Sequence, residues 1–196
     1  MKTLMKLISA VLLIVLVASC ATNQAPPPKP VSTVDKLAEM EKLKENYQKN
    51  GAIVALGISV TSPEMKLARQ MAIADGRQQL GGIISTRIEA LEKTFTEQIG
   101  AGRSAEIHAA YSSAGKAIVD QDLSGAQDVK TDMAYNDGLY TGYAIMLIDP
   151  EVIKKRIEDE MNRQEALKNL YYSSKAHDEL NEEIEKFREF KNNSGF

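Results

Sequence analysis

Apolar residues alternate with small ones along residues 51–62, and this period of two predicts a half-buried β-strand. The apolar members of the alternation are Val54, Leu56, Ile58 and Val60. Gly57 lies in the middle of the run, and a glycine inside a strand indicates close approach by another element. The strand is expected to end at Thr61-Ser62-Pro63-Glu64, a sequence typical of a helix start.

A second β-pattern over residues 128–148 predicts a hairpin. Two apolar runs flank the pair Asp137-Gly138, and Asp-Gly favours a two-residue type I′ turn. That turn would place Tyr135 opposite Tyr140. Because the second run is apolar on both faces, its strand is expected in the centre of the sheet and the first strand nearer an edge.

Helical spacing of apolar residues predicts a short helix over residues 34–49 and a long helix after Pro63, with a second piece beginning at Ser104. Gly81-Gly82 interrupts the long helix and predicts either a close crossing against the sheet or a bend. One side of this helix is expected to be buried, and its members are Leu67, Met71, Ala74, Ile84, Ile88, Leu91 and Phe95.

The C-terminal segment begins at Asp149-Pro150, an N-cap followed by proline, and about half of residues 151–191 are charged. A narrow apolar stripe runs through it, interrupted near Ser173-Ser174. Such a stripe favours packing against another helix, either of the same chain or of a partner. The candidate residues for self-association are Ile153, Ile157, Met161, Leu180, Ile184 and Phe187. The alternative is a solvated helix that lies on its own domain.

The first twenty residues have the pattern of a secretory signal: Lys2 and Lys6, an apolar run over residues 7–17, then small residues before Cys20. The apolar run is too short to span a bilayer comfortably. Val17-Ala18-Ser19-Cys20 resembles the bacterial lipobox. The resemblance implies cleavage between Ser19 and Cys20 and attachment of diacylglycerol and palmitate to Cys20. The alternative is an uncleaved signal anchor with an incidental cysteine.

Residues 20–33 contain four of the six prolines and predict an extended tether between the lipid and the folded part. Loss of residues 1–19 removes two lysines and no acid, so the formal charge changes from −3 to −5. A negative chain is not expected to bind nucleic acid. In enteric-type bacteria, an aspartate directly after the lipidated cysteine favours retention in the inner membrane. This chain has Ala21 at that position, so by this resemblance the outer membrane is the expected location.

Composition and spacing reveal no catalytic grouping. The two histidines, His108 and His177, lie on separate predicted helices, and neither local sequence supplies a nucleophile or carboxylate placed within reach of the imidazole as a catalytic partner. The single cysteine is assigned to lipid, which excludes thiolate catalysis and cysteine-based zinc sites. We therefore expect no enzyme activity, no cofactor and no metal site.

Two weaker candidates remain. Asp75 and Arg77 are charges inside the long helix, for which a local hydrogen bond or salt bridge is the simpler interpretation. Tyr135, Tyr140 and Tyr143 on the hairpin would line a shallow binding site, although cross-strand tyrosines usually only stabilise a sheet.

Three stretches in order resemble the lipoprotein-20 family of bacterial envelope proteins. They are Ala55-Leu56-Gly57-Ile58, residues 67–80 with the core Ala72-Ile73-Ala74-Asp75-Gly76-Arg77, and Asn136-Asp137-Gly138-Leu139-Tyr140. Gly76 and Gly81 stand where the family tends to have alanine, and the charged C-terminal helix is not typical of it. The resemblance implies a dodecin-like α+β domain in which a small antiparallel sheet packs on a long helix. It also implies relatives that are surface antigens or build flagellar basal discs.

These features predict four segments: a signal peptide (1–19), a lipidated tether (20–33), an α+β domain (34–149) and a charged helical arm (150–196). The predicted function is that of a lipid-anchored structural or assembly lipoprotein of the cell envelope. Its expected partners are the membrane, through the lipid, and either further copies of itself or another envelope protein. The alternative is an envelope module that binds a small molecule or glycan.

Overall fold

The computed structural model describes residues 32–194, which form an α+β fold with one small antiparallel sheet and six α-helices. This confirms the predicted fold class, although the described chain is mostly helical. Ser19, Cys20 and most of the predicted tether lie outside the described residues.

The described residues form three β-strands and six α-helices. The strands are β1 (Ile53–Ile58), β2 (Gln127–Asn136) and β3 (Leu139–Ile148). The helices are α1 (Thr33–Lys49), α2 (Met65–Ile99), α3 (Ser104–Gln121), α4 (Pro150–Asn162), α5 (Glu165–Tyr172) and α6 (Lys175–Ser194). Short 3₁₀ turns precede and follow α3.

The strand order is β1-β3-β2, so β3 is central, as its two apolar faces predicted. The hairpin turn has φ of 50° at Asp137 and 80° at Gly138, and positive φ at both positions is the requirement of a type I′ turn. Tyr135 pairs with Tyr140, which confirms the predicted register.

β1 is buried on both faces, so the prediction of a half-buried strand is wrong. Ile53 and Ala55 belong to the core on the α2 side of the sheet. Val54 and Leu56 belong to a second cluster on the opposite side, with Met40 of α1 and with Phe187 of α6. Helices α1 and α6, from the two ends of the described chain, therefore cover the face of Val54 and Leu56, while α2 covers the face of Ile53 and Ala55.

The long helix starts at Met65, two residues later than the position of Pro63 suggested. Ser62 does not cap a helical turn there. It accepts a hydrogen bond from the Glu64 backbone N–H at 3.1 Å, and its own backbone pairs with Tyr140. The helix continues through Gly81-Gly82 without interruption.

The N-terminal half of α2 buries small residues instead of large ones. Ala68, Ala72 and Gly76 face the sheet, whereas Leu67 is 44% exposed. A Cβ on Gly57 of β1 would overlap the Ala72 carbonyl oxygen and the Gly76 backbone, so only small side chains fit between helix and strand. The buried side predicted for the C-terminal half of α2 is confirmed at Ile84, Ile88, Leu91 and Phe95.

α4 begins as predicted, with the Asp149 carboxylate accepting from the Glu151 N–H at 3.0 Å and proline in the first turn. The segment then breaks twice, at the predicted Ser173-Ser174 and also at Arg163-Gln164, where no break was predicted. Three short helices can each turn to follow the surface of the core.

The six residues predicted for self-association are instead buried inside the chain. Their exposed fractions are at most 6%. Ile153, Ile157, Met161 and Leu180 belong to the same core cluster as Ala72 of α2 and Tyr111 of α3. The stripe therefore packs against its own domain, and the helices after Asp149 do not form a separate arm.

Candidate functional site

The three hairpin tyrosines do not form one site. Tyr135 and Tyr140 stack across the strands with ring centroids 4.8 Å apart. Tyr143 lies on the opposite face of β3, where its hydroxyl donates to the Thr33 carbonyl oxygen at 3.1 Å and burial raises its pKa. Because neighbouring positions of one strand alternate between faces, Tyr140 and Tyr143 of β3, three positions apart, cannot share a surface.

The two histidines also lie apart. His108 is an exposed residue of α3 whose Nδ1 is 2.9 Å from the Glu92 carboxylate of α2. His177 of α6 packs edge-on against Tyr171 and Tyr172. The partnership of His108 with Glu92 was not predicted, because the two residues are on different helices.

A cavity of about 200 Å³ lies beside His108, between α2 and α3. Its lining residues are Ser85, Ile88, Glu89, Glu92, His108, Tyr111, Ser112, Gly115 and Lys116. Burial raises the pKa of Tyr111 far above its usual range, and the Tyr111 hydroxyl has no hydrogen-bond partner among the described residues. The cavity thus combines an apolar floor with carboxylate and amine groups at its rim.

Asp75 connects α2 to the sheet. Its Oδ2 atom accepts hydrogen bonds from the backbone N–H of Ile58 and from the Gln79 amide, each at 2.8 Å. Arg77 is exposed on the same helix. The Asp75 carboxylate therefore provides a hydrogen-bond acceptor for the backbone N–H of Ile58, at the end of β1.

The direction of the Ile58 N–H shows which side of β1 has no neighbouring strand. The Ser59 N–H points to β3 and donates to the Gly142 carbonyl oxygen at 2.9 Å, whereas the Ile58 N–H points the opposite way, to Asp75. Backbone groups alternate along a strand, so those of Val54 and Leu56 also point away from β3. No described strand covers this side of the sheet. We call Val54, Leu56 and Ile58 the β1 edge.

Apolar side chains are exposed where the β1 edge ends. Ile58 is 39% exposed and Val60, two residues beyond it, is 72% exposed. Charged residues protect many natural edge strands from association. Here the loop that follows the strand carries an exposed valine instead.

The other end of the β1 edge borders a cavity of about 130 Å³. Its lining residues are Gln48, Gly51, Ala52, Ile53, Val54, Ile83, Arg87 and Glu183. Arg87 of α2 forms an ion pair with Glu183 of α6 at 2.8 Å. Burial raises the pKa of Glu183, although the Arg87 guanidinium opposes the shift. Gly51 has a φ of 83°, and a Cβ there would overlap the Glu183 carbonyl oxygen, so α6 lies tightly against the start of β1.

A shallow, mostly apolar depression of about 580 Å³ continues from this cavity along α2. We call it the α2 groove, and it is lined by Gln79, Gly82, Ile83, Thr86, Arg87 and Ala90. A Cβ on Gly82 would have no heavy atom within 4 Å. The α2 groove and the side chains of Ile58 and Val60 are open apolar surface, whereas Val54 and Leu56 of the β1 edge are only 1% and 6% exposed.

The described residues hold neither a metal-binding cluster nor a membrane-spanning helix. In residues 32–194, no group of three or more His, Cys, Asp or Glu side chains is placed to hold a metal ion. No helix in the same range is long and apolar enough to cross a bilayer.

Comparisons with known proteins found no matching family model, no matching curated protein and no matching solved structure. The resemblance to the lipoprotein-20 family therefore stays a prediction from the residues quoted for it.

Proposed function

We propose that this protein is a lipid-anchored lipoprotein of the bacterial cell envelope, in the outer membrane, and that it works in assembly through protein–protein contacts. The observation that carries the assembly role is the mostly apolar α2 groove, together with the exposed Ile58 and Val60 where β1 ends. Exposed apolar surface is typical of sites of protein–protein contact. No enzymatic step is part of the proposal.

The anchor is proposed from the lipobox-like Val17-Ala18-Ser19-Cys20. Each buried CH₂ of an acyl chain contributes about 0.8 kcal/mol, and two or more chains anchor a protein stably. The proline-rich residues 20–33 would then let the folded part stand off the membrane and meet its partners.

Membership of the lipoprotein-20 family and a dodecin-like arrangement of the sheet around α2 belong to the same proposal. Both are supported by the three stretches that resemble the family. They are also supported by the two glycines, Gly57 and Gly142, at which the sheet approaches the α2 backbone. In such an arrangement a glycine on each of two adjacent strands allows one helix to lie across both.

A second candidate function is binding of a small polar molecule in the cavity between α2 and α3. The observation in its favour is the grouping of Glu92, His108 and Lys116 around the apolar floor. A ligand with an amine and a carboxylate would complement these charges. The three hairpin tyrosines, by contrast, do not line one common surface, because Tyr143 lies on the other face of β3 from Tyr140.

The anchor is tested by expressing the full chain in a Gram-negative host with an alkyne analogue of palmitate. We expect the wild type to incorporate the label and to sediment with outer membranes. Cys20→Ser should lose the label and the membrane association, whereas Ser104→Ala, a matched change of a distant small residue, should keep both. An unlabelled wild type would contradict the proposed function.

A further inference from the structure

We infer that one end of the folded part lies against the lipid bilayer that holds the proposed anchor. It is the end at which the β2–β3 hairpin turns, and we call it the apolar end. The inference rests on the proposed lipid anchor and goes beyond it, because it assigns a membrane-contacting surface to the folded residues themselves. Two observations carry it: exposed apolar side chains are concentrated at this end, and the chain toward Cys20 leaves the fold there.

The end of β1 and the start of α2 lie beside the hairpin turn. Ser62, which follows β1, pairs with Tyr140, the second residue of β3. A Cβ on Gly142 would overlap the carbonyl oxygen of Ala68, which is in the first turn of α2. The loop between β1 and α2 is therefore part of the apolar end.

The chain toward the proposed anchor leaves the fold at the same end. The Tyr143 hydroxyl donates to the Thr33 carbonyl oxygen at 3.1 Å, so the first residue of α1 is held beside the first half of β3. Lys36 reaches Asp132, which pairs with Tyr143 in the sheet. Thr33 follows Cys20 by 13 residues. A chain of that length spans at most about 45 Å. It permits either contact with the bilayer or a gap, so contact depends on the surface that this end presents.

The surface at this end is rich in exposed apolar side chains. Among the described residues, eight large apolar side chains are prominently exposed, and six of them lie here. The six are Val34, Ile58, Val60, Met65, Leu67 and Leu139, with exposed fractions from 38% to 74%. Single apolar residues scattered over a surface need no explanation, whereas a concentration of them is typical of a contact surface. Transfer of these side chains from water to the lipid interface stabilises the bound state.

Two tyrosines beside the turn suit the same environment. The rings of Tyr135 and Tyr140 lie 4.8 Å apart, and both side chains are partly exposed. Tyrosine is enriched where a bilayer meets water, because its ring is apolar and its hydroxyl is polar. Charges of both signs occur nearby, since Lys66 is exposed together with Glu64 and Asp137. We therefore expect apolar contact, rather than attraction to anionic lipid, to hold the apolar end on the bilayer.

Contact of the apolar end with lipid leaves the α2 groove open to a protein partner. Ile83 of the groove follows Met65 by 18 residues, or about 27 Å along the helix. Of the surface that supports the assembly role, Ile58 and Val60 then face lipid and the groove faces the partner. The bilayer is the occupant favoured for the apolar end because the chain toward the anchor begins there.

The first test measures contact between the apolar end and lipid by fluorescence quenching. Full-length lipidated protein carrying Leu139→Cys is labelled with nitrobenzoxadiazole and reconstituted into vesicles of phosphatidylethanolamine and phosphatidylglycerol. Cys20 is the single natural cysteine and is acylated, so the label attaches only to the new thiol. We expect the label to lose most of its fluorescence when the vesicles contain lipids with a nitroxide on the acyl chain. The loss should persist at high salt.

Tyr172→Cys is the matched control, because Tyr172 is 40% exposed and Leu139 is 38% exposed. Tyr172 lies near the other end of α2, where the Gln98 amide donates to the Ser173 carbonyl oxygen at 3.3 Å. The 35 residues of α2 place its two ends about 50 Å apart. Nitroxide lipids should leave the fluorescence of a label at this position unchanged, and thermal unfolding should show that both variants are folded.

The second test weakens the apolar contact and keeps the label in place. Val60→Glu and Met65→Glu are added to the Leu139→Cys protein, at positions that are 72% and 54% exposed and so tolerate a charge in the fold. We expect most of the quenching to disappear. Ile83→Glu, at a 37% exposed position of the α2 groove, is the matched change and should leave the quenching intact.

The outcomes separate contact with the bilayer from the anchor on which it rests. A palmitate-labelled chain quenched no more at residue 139 than at residue 172 would overturn the inference while the anchor stands. Quenching that survives the two glutamates would also overturn it. A label at residue 139 that is shielded in native membranes but not quenched in lipid vesicles would assign the apolar end to a protein partner instead. A chain that incorporates no palmitate would count against the anchor, and quenching of that chain on the same vesicles would still support contact.

Discussion

Gly57 and Gly76 determine how closely α2 can approach the sheet. A Cβ on Gly57 would meet backbone atoms of Ala72 and Gly76, which cannot rotate away as a flexible side chain can. A Cβ on Gly76 would lie 2.5 Å from Cγ of Met146 on β3. Helix and strand therefore pack through their backbones, and any added atom must separate them.

We expect Gly57→Ala to lower the free energy of unfolding by about 3 kcal/mol, the upper end of the cost of overpacking a core. Urea denaturation with a fluorescence or circular dichroism signal measures this difference. Gly82→Ala is the control, because its new methyl group meets open space; it should raise stability by up to about 1 kcal/mol. Equal effects of the two substitutions would contradict the close packing.

At the scale of elements, a partly buried ion pair joins α1 to β2. Lys36 Nζ lies 3.0 Å from Asp132 Oδ2, and the Met133 N–H also donates to Asp132. Burial by itself would raise the pKa of Asp132, but these two donors together lower it below its ordinary value. The carboxylate is thus held in its charged form in the folded chain.

Asp132→Asn should destabilise the fold by about 1 kcal/mol at pH 7. The folded pKa is lower than the unfolded one, so this contribution is present above the ordinary carboxyl pKa. It is lost as the pH falls through the folded value. Denaturation at pH 7 and at pH 3 should show the difference between wild type and variant shrinking in acid. Glu39→Gln is the control, since Glu39 also contacts Lys36 but is 58% exposed; a similar loss there would contradict the assignment.

At the scale of the whole molecule, the C-terminal helices complete the core. Ile157, Met161 and Leu167 are fully buried in the cluster that contains α2 and α3 residues. Removal of these helices would expose apolar surface of the central layer to water. A chain of this size, whose two core clusters lie on the two faces of one sheet, is expected to unfold in a single cooperative transition.

Deletion of residues 150–196 should therefore abolish cooperative thermal unfolding, whereas deletion of residues 193–196 should preserve it. Ile157→Ala, which removes buried methyl groups without deleting a helix, should cost about 2–5 kcal/mol. Calorimetry and near-ultraviolet circular dichroism measure both effects. A truncated chain that kept a sharp transition would contradict the role of these helices in completing the core.

The candidate sites differ in how much of them the sequence could predict. Asp75 was identified as a charge of interest, but its bond to the Ile58 N–H depends on two elements meeting. The contact between His108 and Glu92 likewise depends on two helices meeting, which a local pattern does not predict. Gly82 was noticed only as a helix interruption. What makes it a candidate contact position is the empty space around it, which no local pattern reports.

The sequence by itself determined features that depend on neighbours along the chain. The type I′ turn at Asp137-Gly138, the Tyr135–Tyr140 register, the central position of β3 and the N-cap at Asp149 were all predicted correctly. Each is decided by local backbone preferences, or by the apolar pattern of a single strand. The lipobox-like Cys20 is also a local pattern, and it stays a prediction because it lies outside the described residues.

Only the tertiary structure decided which surfaces are covered. Hydrophobicity assigned Leu67 to the core of α2 and Ala68 to no role, but the close approach of β1 buries the small residue and exposes the large one. The stripe on α4 and α6 could pack on its own chain or on a partner, and its burial beside α2 and α3 settled this. Such outcomes depend on contacts between segments far apart in sequence, and the periodicity of one segment carries no information about which other segment covers it.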